Sequence, residues 1–260
     1  MINQKEFFGL GSIKYLKDIL NETNTKKVFL VTGKKSYTAC GAKPILDNLL
    51  KGYKVERFSN FESNPMIDDV NKGIDLFKKD NYDLIIGIGG GSVIDTAKLI
   101  SLFSKQEYEP SRYILGDKKI KEECSKFIAI PTTSGSGSES THFAVIYINK
   151  IKYSVAKKVL LPNYTIIDPQ FTMDLPKKIT ATTGMDALSQ AIESYWCVNS
   201  TIESKEYSKN AIDLIINNLI GAVNNPSKKN RLIMSKASNL AGKAINITKT
   251  TAPHAISYPI

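Results

Sequence analysis

The chain lacks the residues and segments that mark disulfide scaffolds and membrane proteins. It has 260 residues and only three cysteines, which lie far apart and form no Cys-x-x-Cys pair. Such sparse thiols indicate a reducing compartment, and we expect a cytoplasmic protein. The first residues contain no apolar core of a signal peptide, and no apolar run approaches the length of a membrane span. There is no internal repeat and no low-complexity tract, so we expect a folded globular chain.

Positive charge is in excess but is not concentrated anywhere. Lysine and arginine number 35 against 25 aspartates and glutamates, which gives a formal net charge of +10. The lysines occur as scattered pairs rather than as a long basic stripe with interleaved aromatic residues, so we expect no nucleic-acid partner. A basic chain still suits a small anionic ligand.

Up to Pro176, short apolar segments alternate with helical patterns. Strands are predicted at 26–32, 53–58, 83–88, 126–130 and 164–167, with a hairpin at 143–148 and 151–155. Helices are predicted at 37–51 (interrupted by Pro44), 66–80 and 92–104. This alternation predicts an α/β fold with a mostly parallel sheet covered on both faces.

Beyond Pro176 the pattern becomes helical throughout. Helices are predicted at 178–198, 203–222 and 227–247, and another begins near 252. We therefore predict two domains, an α/β domain over 1–175 and a helical domain over 176–260. Ligands of open α/β sheets bind beyond the carboxyl ends of the strands, so the loops that follow 83–88 and 126–130 are the candidate sites.

Three consecutive glycines, Gly89, Gly90 and Gly91, follow the strand at 83–88 and precede a helix. Without Cβ atoms, their backbone N–H groups can approach an anion closely, and the helix N-terminus adds a favourable dipole. Ser92 occupies the position expected of the N-cap. The run favours a phosphate site, and a tight turn without a ligand is the alternative.

The loop after the strand at 126–130 is rich in hydroxyl groups and glycine, reading PTTSGSGSE over 131–139. Its side chains and backbone can hydrogen-bond a ribose, a phosphate or a nicotinamide amide. Taken alone, the same composition is also typical of a flexible surface loop. The position beside the glycine run favours a ligand, because both loops lie at the same edge of the predicted sheet.

Asp186 lies among apolar and small residues on a helix that is otherwise predicted to be buried. A buried carboxylate must be paired, hydrogen-bonded or bound to a cation. Gln190 lies one turn further along the same face, and His254 also has apolar neighbours in sequence. These residues are candidates for a divalent-metal site. The alternatives are a cap or salt-bridge role for Asp186 and a core role for His254, while His142 is expected to line the cleft without binding metal.

Taken together, these segments resemble the iron-containing (group III) alcohol dehydrogenase family. The matching blocks are 89–92 with Asp95 and Lys98, 131–139, 168–176, 183–188 with Glu193, and 253–256. Each block is weakly specific by itself, but their order and combination are specific and cover essentially the whole chain. The resemblance implies a Rossmann-like α/β domain followed by a helical domain, an architecture shared with dehydroquinate synthase, with the active site between them.

The resemblance also implies a nicotinamide coenzyme, NADP or NAD, and a divalent metal, Fe²⁺ or alternatively Zn²⁺. Asp186 and His254 match catalytic metal ligands, and Gln190 occupies a third ligand position. The implied reaction is hydride transfer between the nicotinamide and a small alcohol or aldehyde, whose oxygen the metal polarises. The expected coenzyme-binding residues are Gly33, Gly89, Gly90, Gly91, Ser92, Asp95, Thr132, Thr133, Ser136 and Lys152.

The sequence departs from the family pattern around the metal. Gln190 stands where the family has a histidine four residues after the ligand aspartate, and an amide oxygen is a weaker ligand than an imidazole. Tyr258 stands in place of a further histidine. The family also continues well beyond Ile260, so we expect a truncated chain with a partial helical domain.

The coenzyme, substrate and assembly are less closely specified. Gly33, Lys34 and Lys35 replace the acidic residue that would hold a ribose 2′-hydroxyl, which predicts that NADP(H) is tolerated unless both lysines face solvent. Segments 189–190 and 249–254 resemble a branch that includes phosphonoacetaldehyde reductases, and the family implies a homodimer. The alternatives are a glycerol-1-phosphate dehydrogenase-like or dehydroquinate synthase-like enzyme, and an inactive fragment that binds only coenzyme.

Overall fold

A computed structural model describes residues 4–257, so Tyr258 lies outside the described residues. Six strands form one parallel sheet in the order β1-β8-β5-β4-β2-β3, and β6 pairs with β7 as an antiparallel hairpin. The strands of residues 4–257 are β1 (Lys5–Phe8), β2 (Lys27–Thr32), β3 (Lys54–Phe58), β4 (Leu84–Gly89), β5 (Phe127–Pro131), β6 (Phe143–Ile148), β7 (Ile151–Ala156) and β8 (Tyr164–Ile167).

Helices cover the sheet and then form the C-terminal part of the described chain. They are α1 (Tyr15–Glu22), α2 (Ser36–Ala39), α3 (Ala42–Leu49), α4 (Ile67–Lys78), α5 (Gly91–Phe103), α6 (Pro110–Ile114), α7 (Lys177–Trp196), α8 (Ile202–Asn224), α9 (Lys228–Thr248) and α10 (Ala252–Ser257). Within residues 4–257, no helix has the length and apolar character needed to cross a membrane.

Strands β4 and β5 are apolar at every position, and β2 is apolar from Val28 to Val31, because both faces of the sheet are covered. In β2, Phe29 and Val31 pack on one face with α4 and α5, while Val28 and Leu30 pack on the other. This alternation follows from the two-residue period of a strand. A parallel sheet buried on both sides places the carboxyl ends of β4 and β5 next to each other, in register from Ile85 with Phe127 to Gly89 with Pro131.

The helical part is held together by small residues. Helices α7, α8 and α9 pack around a core rich in alanine, with Met234 and Ile215 among the larger members. Alanine lets helix axes approach closely and also has the highest helix propensity, so the same residues favour both the helices and their packing.

The structure confirms the predicted α/β fold with its mostly parallel sheet and the helices that follow it. The helix predicted at 37–51 is divided into α2 and α3, and Pro44 lies in the first turn of α3, where its missing N–H does no harm. Strand β1 and helices α1 and α6 were not predicted. β1 is only four residues long and pairs with β8 at the sheet edge, so its alternation is too short to be read.

Candidate functional site

A cavity of about 750 Å³ opens beyond the carboxyl ends of β2, β4 and β5. Six of the predicted coenzyme residues line it, namely Gly33, Gly90, Gly91, Ser92, Thr132 and Thr133. Lys34 and Lys35 also lie on its wall, as do Asp174 and Ile179 from the start of the helical part. The cavity volume is typical of a site for a ligand of coenzyme or drug size.

The turn from β4 into α5, residues 89–92, is here named the glycine turn. Gly90, with an extended backbone, is the N-cap of α5, so the prediction that Ser92 is the N-cap was wrong. The helix begins at Gly91, two residues earlier than a cap at Ser92 would allow. The N–H groups of Gly91 and Ser92 therefore have no acceptor within the helix, and both residues line the cavity.

The three glycines of the turn have different surroundings. A Cβ on Gly89 would meet three carbons of Val93 at 2.5–2.9 Å, so this glycine is required by packing. A Cβ on Gly91 would lie 2.7 Å from Ser136 Oγ. At Gly90 the nearest atoms belong to Thr133 at 3.5 Å, an ordinary contact. The protein alone does not require a glycine at 90, but an anion lying against its backbone would.

The hydroxyl-rich loop is held in place by the buried side chain of Lys98. From α5, Nζ donates hydrogen bonds to the carbonyl oxygens of Ser138 (2.6 Å), Thr141 (2.7 Å) and Phe143 (2.9 Å). Burial lowers the pKa of Lys98 to about 8, against the opposing effect of the carboxylates of Asp95 and Glu139. A lysine with several carbonyl partners fixes the loop relative to the glycine turn, since both are tied to the same helix.

Asp95 lies outside the cavity lining and holds neighbouring segments together. One carboxylate oxygen accepts from Ser138 Oγ, and the other accepts from the backbone N–H of Val145 in β6 at 3.0 Å. Burial lowers the pKa of Lys152, and the carboxylates of Asp95 and Asp186 oppose this lowering. Lys152 is therefore within electrostatic range of an acidic residue on α5 and one on α7.

Glycines also allow the hydroxyl-rich loop to contact the helical part. Gly137, at φ 58°, lies so close to α9 that its Cβ would be 2.5 Å from Gly242 Cα. A Cβ on Gly135 would meet Thr183 of α7 at 2.5 Å. On the same side, Ser134 Oγ and Ser235 Oγ lie 3.1 Å apart. The hydroxyl-rich loop therefore connects the sheet to the helical part.

Asp186, Gln190, Glu193 and His254 form a second candidate site, here named the Asp186 cluster. The chain brings His254 Nε2 of α10 to 3.4 Å from Asp186 Oδ1 of α7, across 68 residues of sequence. Gln190 is buried, and its Oε1 atom has no hydrogen-bond partner among residues 4–257. A buried acceptor without a donor is unfavourable unless something else satisfies it.

These atoms fit a divalent cation in their chemistry. A carboxylate, an imidazole nitrogen and an amide oxygen are all metal donors, and Oε1 of Gln190 is a buried acceptor that no described residue satisfies. Among residues 4–257, no group of three or more histidine, cysteine, aspartate or glutamate side chains could hold a metal ion. The donor set within this part of the chain therefore depends on the amide of Gln190.

Glu193 is a member of the Asp186 cluster that the sequence marked only as part of the family resemblance, without a role at the site. Its Oε1 contacts Nδ1 of His254, and its Oε2 accepts from the backbone N–H (2.6 Å) and Oγ1 (2.9 Å) of Thr251. The hydrogen bond to Asp186 raises the pKa of His254 and Glu193 adds to this, while burial opposes it. The available signal was its position seven residues after Asp186, on the same helix face.

The other histidine, His142, is not part of the Asp186 cluster. Its Nδ1 lies 2.6 Å from Asn246 Oδ1, and its backbone N–H donates to the same oxygen at 2.8 Å. His142 therefore links the start of the hairpin to α9.

Two family models match consecutive parts of the chain. The model of iron-containing alcohol dehydrogenase matches residues 3–169, and the model of the C-terminal part of the Fe-containing alcohol dehydrogenase family matches residues 180–260. A long-chain primary alcohol dehydrogenase of Thermoanaerobacter ethanolicus is 35% identical over 264 residues, covering 98% of this chain. An NAD-dependent methanol dehydrogenase of Bacillus methanolicus is 32% identical over 97% of this chain.

Solved structures agree with these relatives. The sulfoacetaldehyde reductase of Bifidobacterium kashiwanohense, solved with NAD⁺, superposes with a TM-score of 0.93 at 31% identity, covering 98% of this chain and 68% of that one. The chain spans 66% of the length of the Thermoanaerobacter relative and 67% of the Bacillus relative. Its glycine turn, hydroxyl-rich loop and helical part all lie within the matched regions, and the chain belongs to the iron-containing alcohol dehydrogenase family.

Proposed function

We propose that this chain carries the coenzyme site and part of the metal site of a nicotinamide-dependent alcohol dehydrogenase or aldehyde reductase. The observation that carries the proposal is the glycine turn, whose free N–H groups and bare Gly90 lie on the wall of the 750 Å³ cavity. A diphosphate group fits this position because the helix N-terminus favours negative charge. The NAD⁺ in the Bifidobacterium relative supports a coenzyme of this class.

Each group of residues has a distinct task in this proposal. The backbone of Gly90, Gly91 and Ser92 binds the diphosphate, while the hydroxyls of Thr132 and Thr133 orient the coenzyme along the cavity wall. Asp186, His254 and Gln190 would hold a divalent cation, Fe²⁺ or Zn²⁺. When bound, a nicotinamide supplies the hydride donor or acceptor and the cation polarises the substrate oxygen.

Lys152 and Asp95 also belong to the proposed coenzyme site, in different ways. Lys152 contributes a positive charge between Asp95 and Asp186. Asp95 acts through the loop, because both of its oxygens are bound to residues of segments 138–145. Ser136 keeps the loop against Gly91.

For the substrate we propose a small aldehyde or alcohol, and more specifically an anionic aldehyde such as phosphonoacetaldehyde. The net charge of +10 favours an anion, and the Bifidobacterium relative acts on the comparable anion sulfoacetaldehyde. A homodimer remains a prediction of the family resemblance, and a location in the cytoplasm remains a prediction from the sparse cysteines. The division into domains 1–175 and 176–260 is likewise proposed, and residues 174–176 at this boundary line the cavity.

Calorimetric titration with NADH and NADPH tests the coenzyme site. We expect the wild-type chain to bind at least one of them, and Gly90→Val to weaken binding about 10- to 100-fold, since hydrogen bonds to a charged group are worth about 1.5–3 kcal/mol. Ala156→Val, at an exposed position of β7, is the control for added bulk. Binding that is absent in the wild type, or unchanged in Gly90→Val, contradicts the proposal. Oxidation of NAD(P)H followed by absorbance then compares phosphonoacetaldehyde with uncharged aldehydes.

A further inference from the structure

Both carboxylate oxygens of Glu193 are bound by other residues, although Glu193 is not a candidate metal ligand. It is 2% exposed, and its two oxygens have different partners: Oε1 contacts Nδ1 of His254, and Oε2 accepts from the N–H and Oγ1 of Thr251. Both partners lie beyond the end of α9. One buried carboxylate on α7 therefore holds the segment that delivers His254.

We propose that Glu193 is the positioning residue of the Asp186 cluster, which fixes the ring of His254 through Nδ1 and thereby presents Nε2 beside Asp186. An imidazole that donates Nδ1–H to a carboxylate has its orientation fixed, and in the neutral ring the lone pair resides on Nε2. The Nε2 to Asp186 Oδ1 distance of 3.4 Å is longer than an ordinary N–H···O bond, so the Glu193 contact is the tighter constraint on the ring.

A purely structural role for Glu193, as a tie between α7 and the segment at 248–254, is the competing explanation. That tie has other members. Thr248 Oγ1 donates to Ser194 Oγ at 2.8 Å, and Trp196 Nε1 donates to Thr251 Oγ1 at 3.3 Å. Because these contacts do not pass through Glu193, the segment keeps attachments to α7 when the carboxylate is removed. A Glu193 variant should therefore lose the constraint on the His254 ring, while the segment at 248–254 stays attached to α7.

The inference rests on the proposed function where it concerns a cation, but the ring constraint can be observed without one. The chain has only two histidines, so its imidazole NMR spectrum contains two spin systems, and His142→Asn assigns them. In the metal-free wild type we expect a strongly downfield, slowly exchanging proton on Nδ1 of His254. Glu193→Ala removes this signal, Glu193→Gln shifts it upfield, and Ser194→Ala leaves it unchanged.

Cobalt binding provides the second measurement. Titration with Co²⁺, followed by its visible absorption, gives the affinity of each variant. We expect Glu193→Ala to weaken Co²⁺ binding about 10- to 100-fold, as is usual for a carboxylate that orients a ligand histidine, and Glu193→Gln to weaken it less because an amide oxygen still accepts from Nδ1. Ser194→Ala should bind like the wild type.

The outcomes separate the two levels of the proposal. If Asp186→Ala abolishes Co²⁺ binding while Glu193→Ala leaves both the affinity and the Nδ1 proton unchanged, the positioning role is overturned and the metal site stands. If the wild type binds no Co²⁺, the metal part of the proposed function fails, and the Nδ1 proton alone decides whether Glu193 fixes the ring.

Discussion

The glycine turn and the Asp186 cluster are built in opposite ways. The turn is a continuous segment of four residues, of which Gly90, Gly91 and Ser92 line the cavity, and it depends on the absence of side chains at Gly90 and Gly91. The cluster is made of side chains from two helices, and His254 reaches Asp186 across 68 residues. The first site is fixed by local geometry, whereas the second exists only when α10 is held against α7.

This difference explains where each site is vulnerable. A site made of glycine backbone is disrupted when a substitution adds side-chain atoms, since glycine has no side chain to lose. A side-chain site is harmed by a removed atom, and its supporting contacts matter nearly as much as the ligands themselves. The hydroxyl-rich loop connects the two, since it lines the cavity at Thr132 and Thr133 and packs on α9 at Gly137.

Gly137→Ala tests that connection and has the largest expected effect. Its Cβ would lie 2.5 Å from Gly242 Cα, in a backbone conformation with φ 58° that disfavours a side chain. We expect a loss of about 3 kcal/mol in the free energy of unfolding, from left-handed strain plus overpacking. Urea denaturation measures it. Gly116→Ala, with φ 92° and no atom within 4 Å, is the control for strain alone. Equal losses in both variants would show that the contact with α9 does not matter.

Asp186→Ala separates the two sites. Removing the carboxylate takes away the charged donor of the Asp186 cluster, so we expect Co²⁺ affinity to fall at least about 100-fold. Affinity for NADH or NADPH should change less than about twofold, because Asp186 is not part of the cavity lining. Parallel titrations with the metal and the coenzyme check both statements. If Asp186→Ala lowers the affinities for both Co²⁺ and the coenzyme, the metal site and the coenzyme site are coupled.

The sequence predicted the glycine turn better than the Asp186 cluster for a physical reason. Gly89–Gly91 lie between an apolar strand and a helix, so their place at the sheet edge follows from local pattern. The pairing of Glu193 with Thr251 and His254 depends on how α7 meets the end of α9, which no local pattern encodes. The N-cap prediction was wrong on a finer scale. Ser92 has the chemistry of a cap, but the cap of α5 is Gly90, two residues earlier.

The hydroxyl-rich loop also carries a buried acid, Glu139, whose effect on the stability of the fold depends on pH. Burial raises the pKa of Glu139 to about 7, with Glu6 adding to this, while its own backbone, Lys98 and Asn239 oppose it. In the unfolded chain the group titrates near 4.5. Its contribution to stability is therefore fully present below pH 4.5 and is lost as the pH rises through 7.

Glu139→Gln removes this dependence while keeping the size of the side chain. Relative to the wild type, the variant should gain about 2 kcal/mol in the free energy of unfolding between pH 5 and pH 7.5, because a shift of one pKa unit corresponds to about 1.4 kcal/mol and relaxation reduces the sum. Urea denaturation at the two pH values measures the difference. If the free energies of unfolding of the wild type and the variant change equally between the two pH values, Glu139 ionises normally in the fold.

The smallest expected effect concerns the choice of coenzyme at the edge of the cavity. Lys34 and Lys35 line the cavity but are exposed, and Lys34 Nζ lies 3.9 Å from Glu62 Oε1. Exposed charges are worth up to about 1 kcal/mol, so we expect the double variant Lys34→Ala/Lys35→Ala to weaken NADPH binding about fivefold.

Binding of NADH should be unchanged in the same variant, because NADH has no 2′-phosphate for the lysines to contact. The double variant Lys228→Ala/Lys229→Ala, at the exposed start of α9, controls for the loss of net charge. A further titration at high salt should shrink the NADPH effect, since salt screens exposed charges. If both lysines face only solvent, the two double variants will bind NADPH alike, and the preference for one coenzyme must then come from the shape left by Gly33 rather than from charge.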